Sequence, residues 1–385
     1  MPTIFSPYRI CPIGAHIDHQ GGMVLSRTLG LGTTLEYEPI LSREIHLISE
    51  HFGETRFIIG DEVDESHWAR YARAAALVFG DKLHRGMRAH VNGALVGAGL
   101  SSSASVGLAY LKALADVNGL EVTAEELVWL DFQLENGQLG LQNGLLDPLT
   151  IVHGKKDALL WMDTGTGAFT PIPDPKPDSA AWIVAYSGIS RELTKSGFNT
   201  RVAECREAAS LLHPGACKLS DVPRELYREK NTSLPENLRR RANHFYTEVE
   251  RVQQGAQAWK ESDLELFGRL MNQSCASSIN NYESGSPVLV ELHQIASKAA
   301  GVYGSRFSGG GYGGCVVALA NREQAEGAAH EIAVKLAVRH PELHSRVFVA
   351  EMGDGLFTDP VSLPARGGTN FPPPAEEGMG VSRNG

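Results

Sequence analysis

The residues that could carry chemistry begin with a short glycine- and serine-rich stretch, GAGLSSS at residues 97–103. Its glycines can adopt backbone angles that a Cβ forbids, and its serines stand where an apolar helical repeat begins. A glycine turn that leads into a helix N-terminus leaves amide hydrogens unpaired beside the positive end of the helix dipole. Such a turn can bind phosphate, although an ordinary serine-capped helix explains the same residues equally well.

The spacing excludes two familiar phosphate-binding loops. A Walker A loop needs Gly-Lys-Ser/Thr after its glycines, and the chain has no such sequence at this place. A dinucleotide-binding turn needs the third glycine of GxGxxG, which is missing here. The role of the stretch therefore depends on what accompanies it.

Two further unusual stretches accompany it, one near each end of the chain. RICPIGAHID occupies residues 9–18, and GSRFSGGGYGGC occupies residues 304–315. In this order the three stretches resemble the motifs of the GHMP kinase superfamily of small-molecule kinases. The first is similar to the galactokinase signature GRVNLIGEHTD, and the third is similar to GARMTGAGFGGC. The resemblance extends from about residue 8 to about residue 353, which is nearly the whole chain.

The resemblance implies an α+β, two-domain GHMP kinase fold with the active site in the cleft between the domains. Residues 1–178 would form the N-terminal domain with the sugar site and the ATP loop, and residues 179–363 the C-terminal domain. Residues 364–385, rich in glycine and proline and with little to bury, are predicted to be disordered. ATP and Mg²⁺ are the implied cofactors. The implied nucleotide-binding residues are Trp68, Gly97, Gly99, Leu100, Ser101, Ser102, Ser103 and Gly310, although Trp68 taken alone fits plain core packing equally well.

Phosphoryl transfer needs the γ-phosphate held in line with the acceptor hydroxyl and its charge offset. By resemblance, Ser103 and Glu135 are the predicted Mg²⁺ ligands, although Glu135 taken alone is typical of a solvated helix residue. Asp147 matches the aspartate of the galactokinase run CGIMDQ at the same distance from Glu135, with Pro148 in place of the glutamine. The resemblance makes Asp147 the catalytic base and Arg9 the residue that holds it ionised. A buried structural salt bridge is the alternative.

The sugar end of the first motif differs from that of galactokinases. Ala15 stands where galactokinases carry a glutamate that contacts the sugar 6-hydroxyl, and Phe198 replaces a tyrosine that touches the sugar. Ala15 is either neutral drift with a lost hydrogen bond or an adaptation to a C6 carboxylate, which a facing glutamate would repel. Arg27 and Arg191 are unplaced candidates for binding that carboxylate. The implied substrate-binding residues are Ala15, His16, Asp18, Gly144, Asp147 and Phe198.

Longer strings indicate the substrate. PYRICPIGAHIDHQGG at residues 7–22 looks like galacturonokinases, and so do YARA at residues 71–74 and NYE at residues 281–283. These features predict an ATP- and Mg²⁺-dependent sugar-1-kinase that converts D-galacturonic acid to galacturonic acid 1-phosphate. Galactokinase activity is the first alternative. A sugar-sensing paralogue without turnover is the second, and an enzyme is favoured because none of the four residues of the chemistry is missing.

Composition and size limit the other classes of function. A chain of 385 residues fits two domains, and a net charge of −10 argues against a nucleic-acid binder. No apolar run reaches membrane-spanning length, and the N-terminus lacks the pattern of a signal peptide. Five scattered cysteines without a CxxC pair predict reduced thiols in the cytoplasm. The expected partners are a small sugar acid and ATP, and the expected state is a monomer or homodimer.

Hydrophobic periodicity predicts the elements that must position these motifs. The helix after the glycine–serine stretch should end near Gly119, and a helix over residues 124–139, capped by Thr123, should carry Glu135. The proline-rich segment 171–177 is the predicted joint between the halves. The other predicted helices cover residues 68–79, 199–212, 236–258, 264–272, 287–299 and 322–338. The predicted strands cover residues 45–48, 56–59, 86–93, 159–162, 182–186, 316–319 and 347–350.

Overall fold

Eleven strands form two sheets within residues 1–64, 67–176, 178–190 and 197–356, the residues that the computed structural model describes. The first sheet contains β1 (Thr3–Ile13), β2 (Met23–Ile40), β3 (Glu44–Ser49), β4 (Gly53–Ile58), β5 (Gly86–Gly93), β6 (Ala158–Asp163) and β7 (Ala168–Pro173). The second sheet contains β8 (Ala180–Tyr186), β9 (Val302–Phe307), β10 (Cys315–Asn321) and β11 (Arg346–Ala350).

Ten α-helices accompany the sheets in the same described residues. The first four are α1 (Arg70–Phe79), α2 (Ser102–Val117), α3 (Ala124–Phe132) and α4 (Leu146–His153). The others are α5 (Phe198–Leu212), α6 (Arg224–Lys230), α7 (Glu236–Lys260), α8 (Leu264–Ser277), α9 (Pro287–Ala296) and α10 (Ala325–Arg339). No helix in this part of the chain combines the length and the apolar character that crossing a bilayer requires.

The first sheet has the strand order β4-β3-β5-β2-β6-β7, and β1 pairs with β2 beside this path. Only β3 and β5 run parallel; the other pairs in the described sheet are antiparallel. The register of β1 against β2 shifts between Pro7 and Arg9 and again between Ile10 and Ile13. Proline has no N–H to donate to a ladder, so shifts beside Pro7 and Pro12 are expected. The two register shifts flank Arg9, the first predicted catalytic residue along the chain.

Helix α2 lies at the centre of the N-terminal half. Eleven of its 16 residues are buried, because it packs against β1 and β2 and also against α1, α3 and α4. A helix that is apolar on almost every side is held by burial rather than by one amphipathic face. As predicted, it ends just before Gly119, whose φ of +64° suits glycine at a helix C-terminus. Its N-terminus is thereby fixed at the cleft described below.

Two helical segments change pitch where they deliver side chains to the cleft. The predicted cap at Thr123 is confirmed, since its side chain and that of Glu126 form a capping box. The predicted helix over residues 124–139, with Glu135 on it, is confirmed to Gln138, but its pitch changes: α3 ends at Phe132 and a π-helical segment, Gln133–Gln138, follows directly. A second π-helical segment, Ser278–Tyr282, extends α8. The wider turn of a π-segment re-aims side chains, and such segments often lie at functional sites.

Several elements were not predicted. The segment 171–177, expected as a joint, overlaps β7, an edge strand that tolerates its prolines. Helices α4 and α6 and strand β9 were missed because they are short and interrupted by glycine, proline or charge. Residues 364–385, predicted to be disordered, lie outside the described residues.

The two halves share a hydrophobic core. One cluster joins Ile10 and Leu25 of the first sheet to Val184 and Val317 of the second. Side chains of α5 and α7, which follow residue 178 in sequence, belong to the largest cluster together with the first sheet. The predicted boundary at residue 178 falls between β7 and β8, and the division of the chain there stays a prediction.

Candidate active site

A cleft of about 750 Å³ is lined by residues of both halves. Among the predicted site residues, only Leu100 and Gly144 are not part of its lining. Leu100 is fully buried behind the wall, and the Gly144 backbone N–H donates to Asp18 Oδ2 at 3.0 Å. The predicted residues that line the cleft are Arg9, Ala15, His16, Asp18, Trp68, Gly97, Gly99, Ser101, Ser102, Ser103, Glu135, Asp147, Phe198 and Gly310.

Arg9 connects all three motifs. Its backbone N–H donates to the Leu100 carbonyl at 3.1 Å, and its side-chain Nη1 donates to the Gly99 carbonyl at 3.4 Å. The same Nη1 donates to Ser308 Oγ, in the third motif, at 3.2 Å. Its Nε donates to Asp147 Oδ1 at 2.6 Å. Three stretches far apart in sequence thus meet at one buried guanidinium. Ser308 was missed by the sequence analysis, since a serine among glycines carries no chemical signal of its own.

The second and third motifs approach each other backbone to backbone. Gly99 has φ of +75° and Gly309 has φ of +73°, a region that glycine tolerates and most residues do not. A Cβ on Gly99 would lie 2.8 Å from the Ser308 carbonyl oxygen, and a Cβ on Gly309 would lie 2.8 Å from the Gly99 carbonyl oxygen. Both glycines are therefore required for the two motifs to form one wall of the cleft.

The serines at the start of α2 do not act as an ordinary helix cap. Ser101, at the N-cap position with φ of +59°, makes no capping hydrogen bond in the described structure. Its Oγ donates instead to Asp147 Oδ2 at 2.5 Å, while Ser102 Oγ accepts from the Gly97 N–H at 3.1 Å. The start of α2 faces the cleft, and its positive end is suited to phosphate. Ser101 therefore belongs to the predicted nucleotide loop and also contacts Asp147, the predicted catalytic base.

Glu135 is buried in the wall of the same cleft, on the first π-helical segment. Asn143 Nδ2 donates to its Oε2, and its Oε1 has no hydrogen-bond partner among the described residues. Burial, with the nearby charge of Asp147, raises the pKa of Glu135 to about 7. A buried carboxylate with an unpartnered oxygen near Ser103, in a cleft that the N-terminus of α2 faces, fits a hard divalent cation. In the described residues no group of three or more His, Cys, Asp or Glu side chains could hold a metal by itself, so nucleotide phosphates would have to supply further ligands.

The sugar-end residues of the first motif lie on a sharp turn. Gly14 has φ of +101° and His16 has φ of +66°, and Ala15 between them is buried in the cleft wall. The His16 ring stacks on Tyr282 with 4.4 Å between centroids, and its Nε2 lies 3.2 Å from Ser284 Oγ. Burial and the charge of Arg306 hold the pKa of His16 well below its usual range, so this imidazole is neutral. Tyr282 was missed although its NYE string had been singled out.

Helix α7 holds this turn from behind. Glu248 Oε1 accepts a hydrogen bond from the Gly14 N–H at 2.8 Å, and His244 Nε2 lies 3.0 Å from the Ala15 carbonyl oxygen. Glu248 also receives the Ser274 hydroxyl and lies 3.6 Å from Arg306 Nη1. All of these groups are buried. They were missed because a charged helix such as α7 is usually read as solvated.

Asp18 is the second carboxylate near the base. Burial and the charge of Asp147 raise its pKa to about 6, although the Gly144 N–H opposes the shift.

Phe198, at the start of α5, packs with Leu141 and Val202 in a small apolar cluster that Tyr312 adjoins. At the other end of the cleft Trp68 stacks on Phe52, with 5.8 Å between centroids. Phe52 was not predicted, and a half-exposed aromatic pair there offers a flat surface on which a nucleobase could stack.

The carboxylate candidate Arg27 is corrected by the structure. Its two terminal nitrogens donate to Asp174 at 2.7 and 2.5 Å, and Nη2 also donates to the Lys156 carbonyl. It does not line the cleft. Arg27 is thus a structural ion pair between β2 and the end of β7. The other candidate, Arg191, lies outside the described residues.

Comparisons with known proteins match the geometry. The family described as GHMP kinases N terminal domain matches residues 70–155, and the one described as GHMP kinases C terminal matches residues 256–336. A galacturonokinase of Arabidopsis thaliana is 37% identical over 91% of this chain and 92% of its own length. A galactokinase of Roseiflexus is 33% identical over 85% of both chains.

Solved structures show the same relationship. The crystal structure of Lactococcus lactis galactokinase complexed with galactose superposes with a TM-score of 0.85 at 29% identity, covering 92% of this chain and 94% of that one. A mevalonate kinase of Methanococcus jannaschii shares the fold at a TM-score of 0.64 and 18% identity, covering 92% of this chain and 98% of that one. The chain therefore belongs to the GHMP kinases, and it is a sugar-1-kinase of their galactokinase-like branch.

Proposed function

We propose that this kinase phosphorylates the anomeric hydroxyl of D-galacturonic acid with ATP, giving galacturonic acid 1-phosphate. The observation that carries the proposal is the place of Ala15, whose methyl group lines the same cleft as the neutral His16 and Asp18. A glutamate at that position would face a substrate carboxylate across a site partly stripped of water, where like charges repel strongly. The similarity to a galacturonokinase at 37% identity supports the same substrate.

The chemistry would depend on the Arg9–Asp147 pair. Asp147 accepts hydrogen bonds from Arg9 Nε and Ser101 Oγ, so its ionised form is held in a fixed orientation. It can accept the proton of the attacking sugar hydroxyl as the anomeric oxygen bonds to the γ-phosphorus of ATP, while the bond from that phosphorus to the β–γ bridging oxygen breaks and ADP leaves. The guanidinium of Arg9 can also offset negative charge on the transferring group. The predicted alternative, a purely structural salt bridge, is less favoured because the pair lines the cleft.

The nucleotide would lie between Trp68 and the N-terminus of α2. Amides of the glycine–serine loop are suited to its phosphates, and Ser103 and Glu135 would hold Mg²⁺. The metal, when bound, neutralises charge on the phosphates. What the chain itself contributes is the uncharged Ala15 and His16 beside the sugar, the oriented carboxylate of Asp147 and the fixed charge of Arg9.

Galactokinase activity remains the second candidate function, favoured by galactokinase relatives at 30–33% identity. A catalytically silent sugar sensor is disfavoured because Arg9, Ser103, Glu135 and Asp147 converge on one cleft. The cytoplasmic location and the monomeric or dimeric state stay predictions.

A coupled assay of ADP release with galacturonic acid, galactose and glucuronic acid tests the proposal. We expect the highest kcat/KM with galacturonic acid. Galactose turned over equally well or better would reject the uronic acid assignment and leave a galactokinase.

A further inference from the structure

Tyr312 is an aromatic residue among the glycines of the third motif. Its side chain lines the cleft and packs against the apolar cluster of Leu141, Phe198 and Val202. Leu141 and Phe198 also line the cleft, so the ring of Tyr312 lies at the same end as a predicted sugar-binding residue.

The hydroxyl of Tyr312 is buried, and although the Arg201 side chain lies close to its oxygen, no group within the described part of the chain accepts its proton. Gly197 lies close beside it, since a Cβ there would be 3.3 Å from Tyr312 Oη. A buried hydroxyl without a partner costs free energy, and a phenylalanine would fill the apolar part of this site equally well. The orphaned Oη therefore indicates a partner that arrives with a ligand.

Positive charge lies behind this hydroxyl. Burial raises the pKa of Tyr312, while Arg201 and Arg241 are close enough for their charges to oppose that rise. These arginines belong to a cluster in which three guanidinium groups share two carboxylates, which leaves one positive charge uncompensated within the cluster. The cluster comprises Arg201, Arg240, Arg241, Glu204 and Glu283. The potential at Tyr312 Oη therefore favours a negatively charged ligand group.

The position of the hydroxyl differs from the galactokinase pattern. Where that pattern has tyrosine, this chain has Phe198, and where the third motif GARMTGAGFGGC has phenylalanine, this chain has Tyr312. The two rings belong to one packed group. Relative to that pattern, the phenol at this end of the cleft is carried by the third motif, close to the arginine cluster, and not by the start of α5.

We propose that Tyr312 Oη donates a hydrogen bond to the carboxylate of the sugar-acid substrate and so selects for it. The arginine cluster acts through Tyr312 by providing positive potential and does not itself need to touch the sugar. This inference rests on the proposed function, because it assumes that the substrate carries a carboxylate.

Kinetics of Tyr312→Phe test the inference, since phenylalanine keeps the ring packing and removes only the donor. Losing a hydrogen bond to a charged group should raise KM for galacturonic acid on the order of ten- to one-hundredfold. KM for ATP, KM for galactose and the melting temperature should change little. Tyr303→Phe is the matched control, because Tyr303 lies on β9 and does not line the cleft.

The double variant Phe198→Tyr/Tyr312→Phe moves the phenol from the third motif to the start of α5. It should favour galactose over galacturonic acid more than Tyr312→Phe does alone. Equal changes in KM for the two sugars, or none for galacturonic acid, would overturn the role of Tyr312. Wild-type enzyme inactive on galacturonic acid would overturn the proposed function and this inference together, so the wild-type ratio and the variant-to-wild-type ratio separate the two failures.

Discussion

Glu248 Oε1 accepts a hydrogen bond of 2.8 Å from the backbone N–H of Gly14, so a buried carboxylate on α7 holds the turn that forms the sugar end of the cleft. The other oxygen accepts from Arg251 Nε at 2.6 Å. Burial would raise the pKa of Glu248, but the charges of Arg251 and other neighbours outweigh it and hold the pKa below its usual value. The shape of the proposed sugar site therefore depends on a carboxylate about 230 residues away in sequence.

Glu248→Gln should destabilise the protein by about 2–4 kcal/mol at neutral pH, because it leaves buried cationic partners uncompensated. A lowered folded-state pKa means that this contribution is present above the unfolded pKa and is lost as the pH falls, so the difference should shrink below pH 4.5. Urea unfolding at neutral pH and below pH 4.5 measures the difference in free energy of unfolding between variant and wild type. Glu250→Gln, which removes a surface ion pair on the same helix, should cost less than about 1 kcal/mol and serves as the control.

The Glu248 variant should also raise KM for the sugar more than KM for ATP, since the turn at residues 14–16 belongs to the sugar end. A proportional rise in both constants would mean that Glu248 stabilises the fold without shaping the sugar site.

Asp147→Asn should lower kcat by about 10²–10⁴-fold, because an amide cannot accept the proton of the attacking hydroxyl. The amide retains the size of the side chain, so sugar binding measured by calorimetry should persist. Asp163→Asn, a substitution on β6 outside the cleft lining, should leave kcat unchanged. Wild-type kcat in Asp147→Asn would mean that the base is another group.

Glu135→Gln should raise the free Mg²⁺ concentration needed for half-maximal activity, because an amide is a poorer ligand for a hard cation. In the absence of metal, the same substitution should stabilise the folded protein. Burial, with the Asp147 charge, raises the folded-state pKa of Glu135 to about 7 from an ordinary 4.5, so ionising it in the fold costs stability as the pH rises through that window. At pH 8 without metal the variant should be more stable by on the order of 2 kcal/mol.

Thermal unfolding with EDTA at pH 8 and pH 5 measures this gain, which should be small at the lower pH. An unchanged Mg²⁺ titration would place the metal ligand elsewhere, and loss of stability at pH 8 would show that Glu135 is not a strained carboxylate.

The sequence predicted the residues of the three motifs because each motif has a local chemical reason. Gly99 and Gly309, for example, permit a backbone contact that other residues would block. The supporting residues could not be predicted in this way. Glu248 and His244 lie on a helix rich in charged residues, and nothing in the spacing of α7 distinguishes a buried glutamate from a solvated one. Their role follows from where the tertiary fold places them.

The elements show the same limit. Strand β5 and the hairpin of β3 and β4 were predicted, because alternation and turn residues mark them locally. The π-helical turn that carries Glu135 was not, because its residues continue the helical periodicity of α3 without a break. The spacing of apolar residues does not distinguish the wider π-helical turn from a continued α-helix.

Asp18→Asn should change the pH profile of kcat/KM. Burial and the Asp147 charge raise the pKa of Asp18 to about 6, so wild-type kcat/KM should fall below that pH as the carboxylate takes up a proton and loses an acceptor for the sugar. The asparagine variant should be less active throughout but lack this acidic limb. An identical limb in the variant would assign it to another group.

Ala15→Glu tests the substrate assignment most directly, because Ala15 lines the cleft and a longer side chain there extends toward the sugar. Two like charges ~4 Å apart at an effective dielectric of about 20 repel by on the order of 4 kcal/mol. The glutamate can escape part of this by protonation or by rotating away, so about 2–3 kcal/mol should remain, which lowers kcat/KM for galacturonic acid by about thirty- to over a hundredfold. Galactose meets no such charge and gains a possible partner for its 6-hydroxyl, so the ratio of the two specificity constants should shift towards galactose. Ala15→Gln, similar in size but neutral, separates repulsion from crowding and should produce a smaller shift. If both sugars lose the same factor in Ala15→Glu, the side chain at position 15 does not face C6, and the argument for a uronic acid fails at its main support.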